Sequence, residues 1–214
     1  MKTAIRDASE SLRGFIEQSL QDDPDLSPYF DPTDPTPDAI GTMVVTLDTP
    51  QELADHEAEG VSVWLYLVQR EEFTLNQPPR RVAADRIRRR PLPLRLHFLI
   101  TPQVDDQTRQ DATGLEHLIL GKVLQVLYDD ASLSGARLQA SLAGSGLELF
   151  VRLEPLSLEE ITRVWDALDR PYQLCISMEM SVVPIASARD AERVVPVDSL
   201  LSESGPARAL ESAL

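Results

Sequence analysis

The sequence predicts an α/β protein: a single domain in which strands and helices interleave, followed by an extended C-terminal tail. Three observations carry that prediction. Leu92, Leu94, Leu96, Phe98 and Ile100 alternate with Pro93, Arg95, His97 and Leu99, the period of a strand lining a core. Leu115, Leu118, Ile119, Val123, Val126 and Leu127 then recur at helical spacing. Segments of these two kinds interleave along the chain, so strands and helices belong to one layered structure. The domain is expected over residues 1–185 and the tail over 186–214.

The first element is an amphipathic helix over roughly 3–20, marked by Ile5, Ala8, Leu12, Phe15, Ile16 and Leu20. Residues 22–40 carry five prolines and six aspartates, a composition that cannot continue a helix and is expected to run extended over the surface. Those aspartates lack the alternating ligands, glycine and closing glutamate of a calcium loop, so a solvated acidic loop is expected. Met43–Leu47 reads as a short strand and Val61–Val68 as a stronger one, with Trp64 and Tyr66 on one face. Between them lies an acidic turn or short helix. From Arg70 to Arg90 no period survives.

The strand over residues 92–100 is expected to stop at Thr101-Pro102, because proline offers no N–H to a ladder. In the helix that follows, Leu120, Leu124 and Tyr128 widen the apolar face beyond one stripe, which implies deep burial or a partner on its second side. Gly121 weakens a helix by roughly 1 kcal/mol relative to alanine, so close backbone packing is expected there. A long connection leads to a strand at Leu147–Leu156, with Leu147, Leu149, Val151 and Leu153 on one face. Ser157, followed by Glu159 and Glu160, reads as an N-cap with first-turn carboxylates. Ile161, Val164, Trp165 and Leu168 point that helix inward, Arg170-Pro171 ends it, and Tyr172–Ile185 forms the last strand.

At 214 residues and 43% hydrophobic content the chain can bury one ordinary core, and no apolar run reaches the length of a membrane span. The charged segment at residues 1–12 lacks the apolar centre of a signal peptide, so synthesis into the cytoplasm is expected. Cys175 is the single cysteine, which excludes an internal disulfide and a multi-cysteine metal site. A net charge of −15 argues against nucleic acid or an anionic membrane as partner.

No motif carries chemistry. Gly144-Ser145-Gly146 is not a nucleophile elbow, and no phosphate- or dinucleotide-binding glycine pattern occurs. His56, His97 and His117 are far apart without zinc-ligand spacing, and Cys175 sits among apolar neighbours as a buried thiol would. No catalytic residue, cofactor or metal is therefore expected. What needs a partner is the cluster Arg80, Arg81, Arg86, Arg88, Arg89 and Arg90, six of twenty basic residues within eleven positions. Arginine's planar fork suits contact with an acidic protein surface. Leu120, Leu124 and Tyr128, and Val194, Val195 and Val197 in the tail, complete the candidate interface; the valines could add as a strand to a neighbour's sheet edge.

Five segments, in order, resemble the cap or tail-terminator family of phage-tail-like contractile injection systems, notably the extracellular type. They are IRDASESLRGFIEQSL, VSVWLYLVQREEFTLNQ, PLPLRLHFLITP, EHLILGKVLQVLYDDASLSG and LEPLSLEEITRVWDALDRPYQLCISMEMSVVPI, together covering roughly residues 4–185. LHFLITP and EPLSLEEITRVWDAL are the most telling. The arginine-rich insert and the segment after Ile185 depart from the pattern. The resemblance implies a small, tail-terminator-like α/β domain with a mixed β-sheet flanked by helices, assembling as a homo-hexameric ring on the inner tube and sheath, at the end away from the baseplate, after assembly in a bacterial cytoplasm. A neck or baseplate adaptor of the same particle is one alternative, and a small-ligand-binding or hydrolytic enzyme is another.

Overall fold

The strand predicted around Phe98 is the spine of the protein. The computed structural model describes residues 2–36, 39–72, 78–105, 109–168 and 170–195. They fall into two units, Met1–Gln77 with Pro91–Ala186 and Pro78–Arg90 with Ser187–Leu214.

In the larger unit the chain runs α1 (Ala4–Gln21), α2 (Ser27–Phe30), β1 (Val44–Thr46), α3 (Pro50–Asp55) and β2 (Gly60–Arg70). The smaller unit's β3 (Arg80–Ala83) and β4 (Arg86–Arg88) follow, then β5 (Leu92–Gln103), α4 (Ala112–Asp129), β6 (Ser132–Ser134) and β7 (Glu148–Leu153). Last come α5 (Leu158–Asp166), β8 (Ile176–Ile185) and, in the smaller unit, β9 (Glu192–Arg193). The large sheet is six-stranded in the order β1-β2-β5-β8-β7-β6. Only β1 and β2 pair in parallel, so the sheet is mixed, as the resemblance implies.

The alternation in β5 sorts its side chains. Leu94, Leu96, Phe98 and Ile100 are buried in the main core with Leu12, Ile16 and Leu20 of α1 and Ile119, Val123 and Leu127 of α4. Leu99 joins a second cluster on Trp165, Leu168 and Cys175, flanked by Trp64, Tyr66, Ile161 and Val164. α5 therefore packs by the residues expected of it, and both α3 and α5 begin with the reciprocal capping of Thr49 with Glu52 and Ser157 with Glu160.

Several expectations are corrected. β5 does not stop at Thr101-Pro102: Pro102 faces Val61 and the pairing reaches Gln103. Beyond Ile100 only β2 remains alongside, the edge-like position in which proline is tolerated. The proline-rich segment does not simply run over the surface. It makes the turn of helix α2, with Pro28 in its first turn, and buries Leu26 and Phe30. Residues 37–38 lie outside the described residues. Leu153 is 54% exposed although Leu149 and Val151, on the same alternation, are buried. The connection after α4 contains a strand that its serines and glycine concealed, β6, paired with β7. Gly121 is exposed and a Cβ there would meet nothing within 4 Å, so close packing inside the chain is not its reason. Gly60 is the glycine that packing requires: its φ is +142°, and a Cβ would lie 1.9 Å from the Val44 carbonyl oxygen across the parallel pair.

The smaller unit is a three-stranded sheet in the order β3-β4-β9. Residues 80–90, which show no period in the sequence, form a hairpin that pairs with the segment expected to be tail. Its strands are short and their side chains largely exposed, which is why no hydrophobic alternation announces them.

Candidate functional site

The face of the large sheet turned away from the main core carries charge. Arg95 and His97 of β5, Tyr66 of β2, Ser177 and Glu179 of β8 and Arg152 of β7 are brought together there by register, with His97 opposite Glu179 and Arg152 opposite Glu179. Glu179 Oε1 accepts hydrogen bonds from Arg152 Nη2 at 2.6 Å and Nε at 3.0 Å, and pairs with Arg95 Nε at 3.3 Å. Arg95 Nη2 in turn donates to Glu71 Oε2 at 2.7 Å. Glu154 Oε2 accepts from Ser177 Oγ at 2.8 Å and Tyr66 OH at 3.1 Å, and lies 2.9 Å from His97 Nδ1. Burial works against ionisation of Glu154, but its bonds to His97 and Ser177 outweigh that and hold the carboxyl below its usual range. Burial pushes the Tyr66 phenol up to about 12.

Among the described residues, His97, Glu154 and Glu179 are one group whose ligand atoms, within 4.8 Å of one another, could reach a metal ion. The donor set is already engaged. Glu179 is neutralised by Arg95 and Arg152, so a cation would have to displace two guanidinium groups. The arrangement clamps β7, β8, β5 and β2 together across the sheet, and its chemistry is that of a structural ladder. Sequence reasoning treated His97 as an isolated structural residue and missed this network, because Glu154 is 57 positions from it. The available signal was that Arg95 and His97 occupy the β5 positions facing away from the core. His56 caps the end of α3, and His117 is exposed on α4. Cys175 is buried beneath Trp165, whose Nε1 donates to its sulfur at 3.4 Å, and burial pushes the thiol pKa up.

The expected interface residues are spread over separate surfaces. On α4, Leu120 is only 5% exposed and turned inward, so the open side of that helix is carried by Leu118, Leu124 and Tyr128, the last 86% exposed. In the small sheet Arg80, Arg81, Arg86, Arg88, Arg89 and Arg90 are all exposed. Arg89 pairs with Glu192 at 3.3 Å, and Arg90 Nε donates to the Pro78 carbonyl at 3.1 Å. Val194 N–H donates to the Asp85 carbonyl at 2.7 Å, so that main-chain group is already used within the chain. Val195 is 86% exposed, and Val197 lies outside the described residues.

A further surface was not singled out in the sequence. Where α3, the end of β5 and the start of α4 meet, a cavity of about 710 Å³ is lined by Glu57, Glu59, Asp105 and Glu116 and, among the described residues, by no basic side chain. Arg109 at its margin donates to Glu59 at 2.8 Å and holds that carboxyl below its usual range against the effect of burial.

No curated protein matches the sequence. Solved structures share the fold, two of them as follows. One is the sheath/tube terminator, in its extended state, of the extracellular contractile injection system PVC, with a TM-score of 0.57 and 18% identity over 97% of this chain and 65% of that one. The other is the tube-terminating cap of the anti-feeding prophage, AFP, with a TM-score of 0.51 and 20% identity over 76% of this chain and 55% of that one. The chain thus spans less than two-thirds of the length of either. The family model of the Pvc16 N-terminal domain matches residues 7–199, nearly the whole chain. The chain belongs to the Pvc16 N-terminal domain family.

Proposed function

We propose that this chain is the cap, or tail terminator, of a contractile injection particle, forming a hexameric ring where the inner tube and sheath end, away from the baseplate. The observation that carries the reading is the likeness of fold to a sheath/tube terminator over 97% of the chain. The physical logic agrees with it. Tube and sheath are stacks of rings, and a stack built by one repeated head-to-tail contact has no internal stop. A ring that matches the last layer on one face and presents a different face outward supplies the stop. That task needs shape and charge complementarity and no reactive group, in keeping with a protein whose His97–Glu154–Glu179 cluster is engaged in holding strands together. In this reading the chain is not an enzyme and uses no cofactor; its partners are its own copies, the tube protein and the sheath protein. No described helix is long and apolar enough to cross a membrane.

The test is assembly of particles with and without the chain, viewed by electron microscopy. Particles lacking it should have unsealed ends and irregular length, and the chain added back should appear as one ring opposite the baseplate. Normal length, yield and end structure in its absence would overturn the assignment.

A further inference from the structure

The register of the small sheet places four arginines on one face. Arg80 stands directly opposite Arg88, and Arg86 directly opposite Arg193. Arg86 and Arg88 are two positions apart in one strand, so both pairs project from the same side of the sheet. Like charges directly opposite one another across a ladder oppose pairing. Here that happens twice in a sheet whose strands are two to four residues long. Arg193 has Asp85 at 3.4 Å, but Arg80, Arg86 and Arg88 make no ion pair among the described residues. The described part of this unit holds eight arginines against three carboxylates, a net charge of +5 on a chain of net charge −15. The rest of the molecule is correspondingly acidic, and its cavity is lined by Glu57, Asp105 and Glu116 together with Glu59, whose charge Arg109 answers.

We propose that the four-arginine face docks on the acid-lined cavity of a second copy of this chain. Opposite charge on two different patches of one polypeptide favours a head-to-tail contact, in which each copy gives its arginine face to one neighbour and its acidic surface to the next. An anionic partner also resolves the internal conflict of the sheet, because carboxylates laid over Arg80–Arg88 and Arg86–Arg193 turn repulsion into bridging. A second copy is the occupant favoured over nucleic acid, because a chain of net charge −15 repels a polyanion while carrying the acidic surface itself. The inference deepens the ring reading above and rests on it for the closure of the contact into a hexamer; the contact itself does not.

The experiment uses the full chain alone, with no other particle component, and reads its mass by sedimentation at low and high salt. The wild type should associate at low salt and dissociate as screening rises. Reversing Arg80, Arg86 and Arg88 to Glu should weaken association by on the order of tenfold or more, since several individually weak exposed pairs act together. The neutral set Arg80→Gln, Arg86→Gln and Arg88→Gln should fall between, and keeps the test open if the reversal disturbs folding. Glu57→Arg with Glu116→Arg should also abolish association. The two reversed proteins mixed together should associate again, because every contact in an alternating assembly regains opposite charges. A wild-type chain that stays monomeric at low salt, reversed proteins that fold but fail to complement each other, or an arginine face that captures an oligonucleotide in place of a second copy would each overturn the proposal. Complementation with no ring at particle ends would instead sink the cap reading and leave this contact standing.

Discussion

The two sheets of this protein are held in different ways. In the six-stranded sheet Phe98, Leu96 and Ile100 are fully buried, and on the outer face Arg95 and Arg152 meet Glu179 of the neighbouring strand. In the three-stranded sheet almost every side chain is exposed, and arginine faces arginine across both ladders. The first is closed by its own chain. The second leaves charge unanswered, and a structure of that kind has little to gain from folding by itself. Stability should therefore live in the first and association in the second, and substitutions can separate the two.

The largest effect is expected at Phe98, 0% exposed at the centre of β5. Phe98→Ala removes a ring from a packed core and should cost about 3–5 kcal/mol in a denaturant titration. A loss under about 1 kcal/mol would mean that the large sheet is not the stabilising unit.

Next is Asp7, a carboxylate 1% exposed that ties α1 to the turn at Ser141. The hydrogen bond from Ser141 Oγ is the chief cause that lowers its pKa from 3.8 to about 2, against the effect of burial. A depressed carboxylate contributes stability that is fully present above its unfolded value and is lost as pH falls through the folded one. Stability should thus decline between about pH 4 and pH 2. Asp7→Ala should cost about 1–3 kcal/mol at neutral pH by leaving buried donors unmatched. Relative to wild type, the Asp7→Asn protein should lack this part of the acid loss. Parallel acid profiles for the two would show that Asp7 does not carry it.

How far the sequence could be read follows the same division. Strands and helices with one face in a hydrophobic cluster, such as β5 and α1 in the main core and α5 in the second cluster, are visible as periods because burial imposes alternation. α2 was hidden because its prolines argue against helix while Leu26 and Phe30 bury themselves in one turn. The small sheet was hidden for the opposite reason: with nothing buried there is no period to find, and only the arginine cluster signalled that residues 80–90 had a role. The His97–Glu154–Glu179 ladder joins residues of β5 and β8 with the residue just past β7, so it needed the register before it could be seen. The acidic cavity likewise gathers Glu57, Asp105 and Glu116 from three segments.

A smaller effect is expected at Gly121, on the open side of α4. With nothing within 4 Å of a built Cβ, Gly121→Ala should stabilise the chain by about 1 kcal/mol, the difference in helix propensity. Thermal unfolding of the isolated chain checks this, and a loss of stability would show that the position is crowded after all. If stability rises while incorporation into particles falls, the glycine is there to admit a partner's backbone next to Leu124 and Tyr128.

The smallest effect on stability is expected where the effect on assembly is large. Arg88→Thr removes one member of the Arg80–Arg88 pair and substitutes a β-branched residue suited to a strand. Relieving a like-charge pair should raise the stability of the hairpin by a few tenths of a kcal/mol, up to about 1 kcal/mol. Because the large sheet dominates unfolding, the melting temperature of the whole chain should barely move. Backbone amide hydrogen exchange within β3 and β4 should slow, since the local opening of the hairpin becomes less favourable. The gain should appear in the isolated chain alone: where an acidic partner covers the face, Arg88 is an asset and its loss should weaken assembly. Faster exchange in the isolated Arg88→Thr hairpin would mean that Arg88 supports its own sheet, and would remove the contrast between the two sheets at its most exposed point.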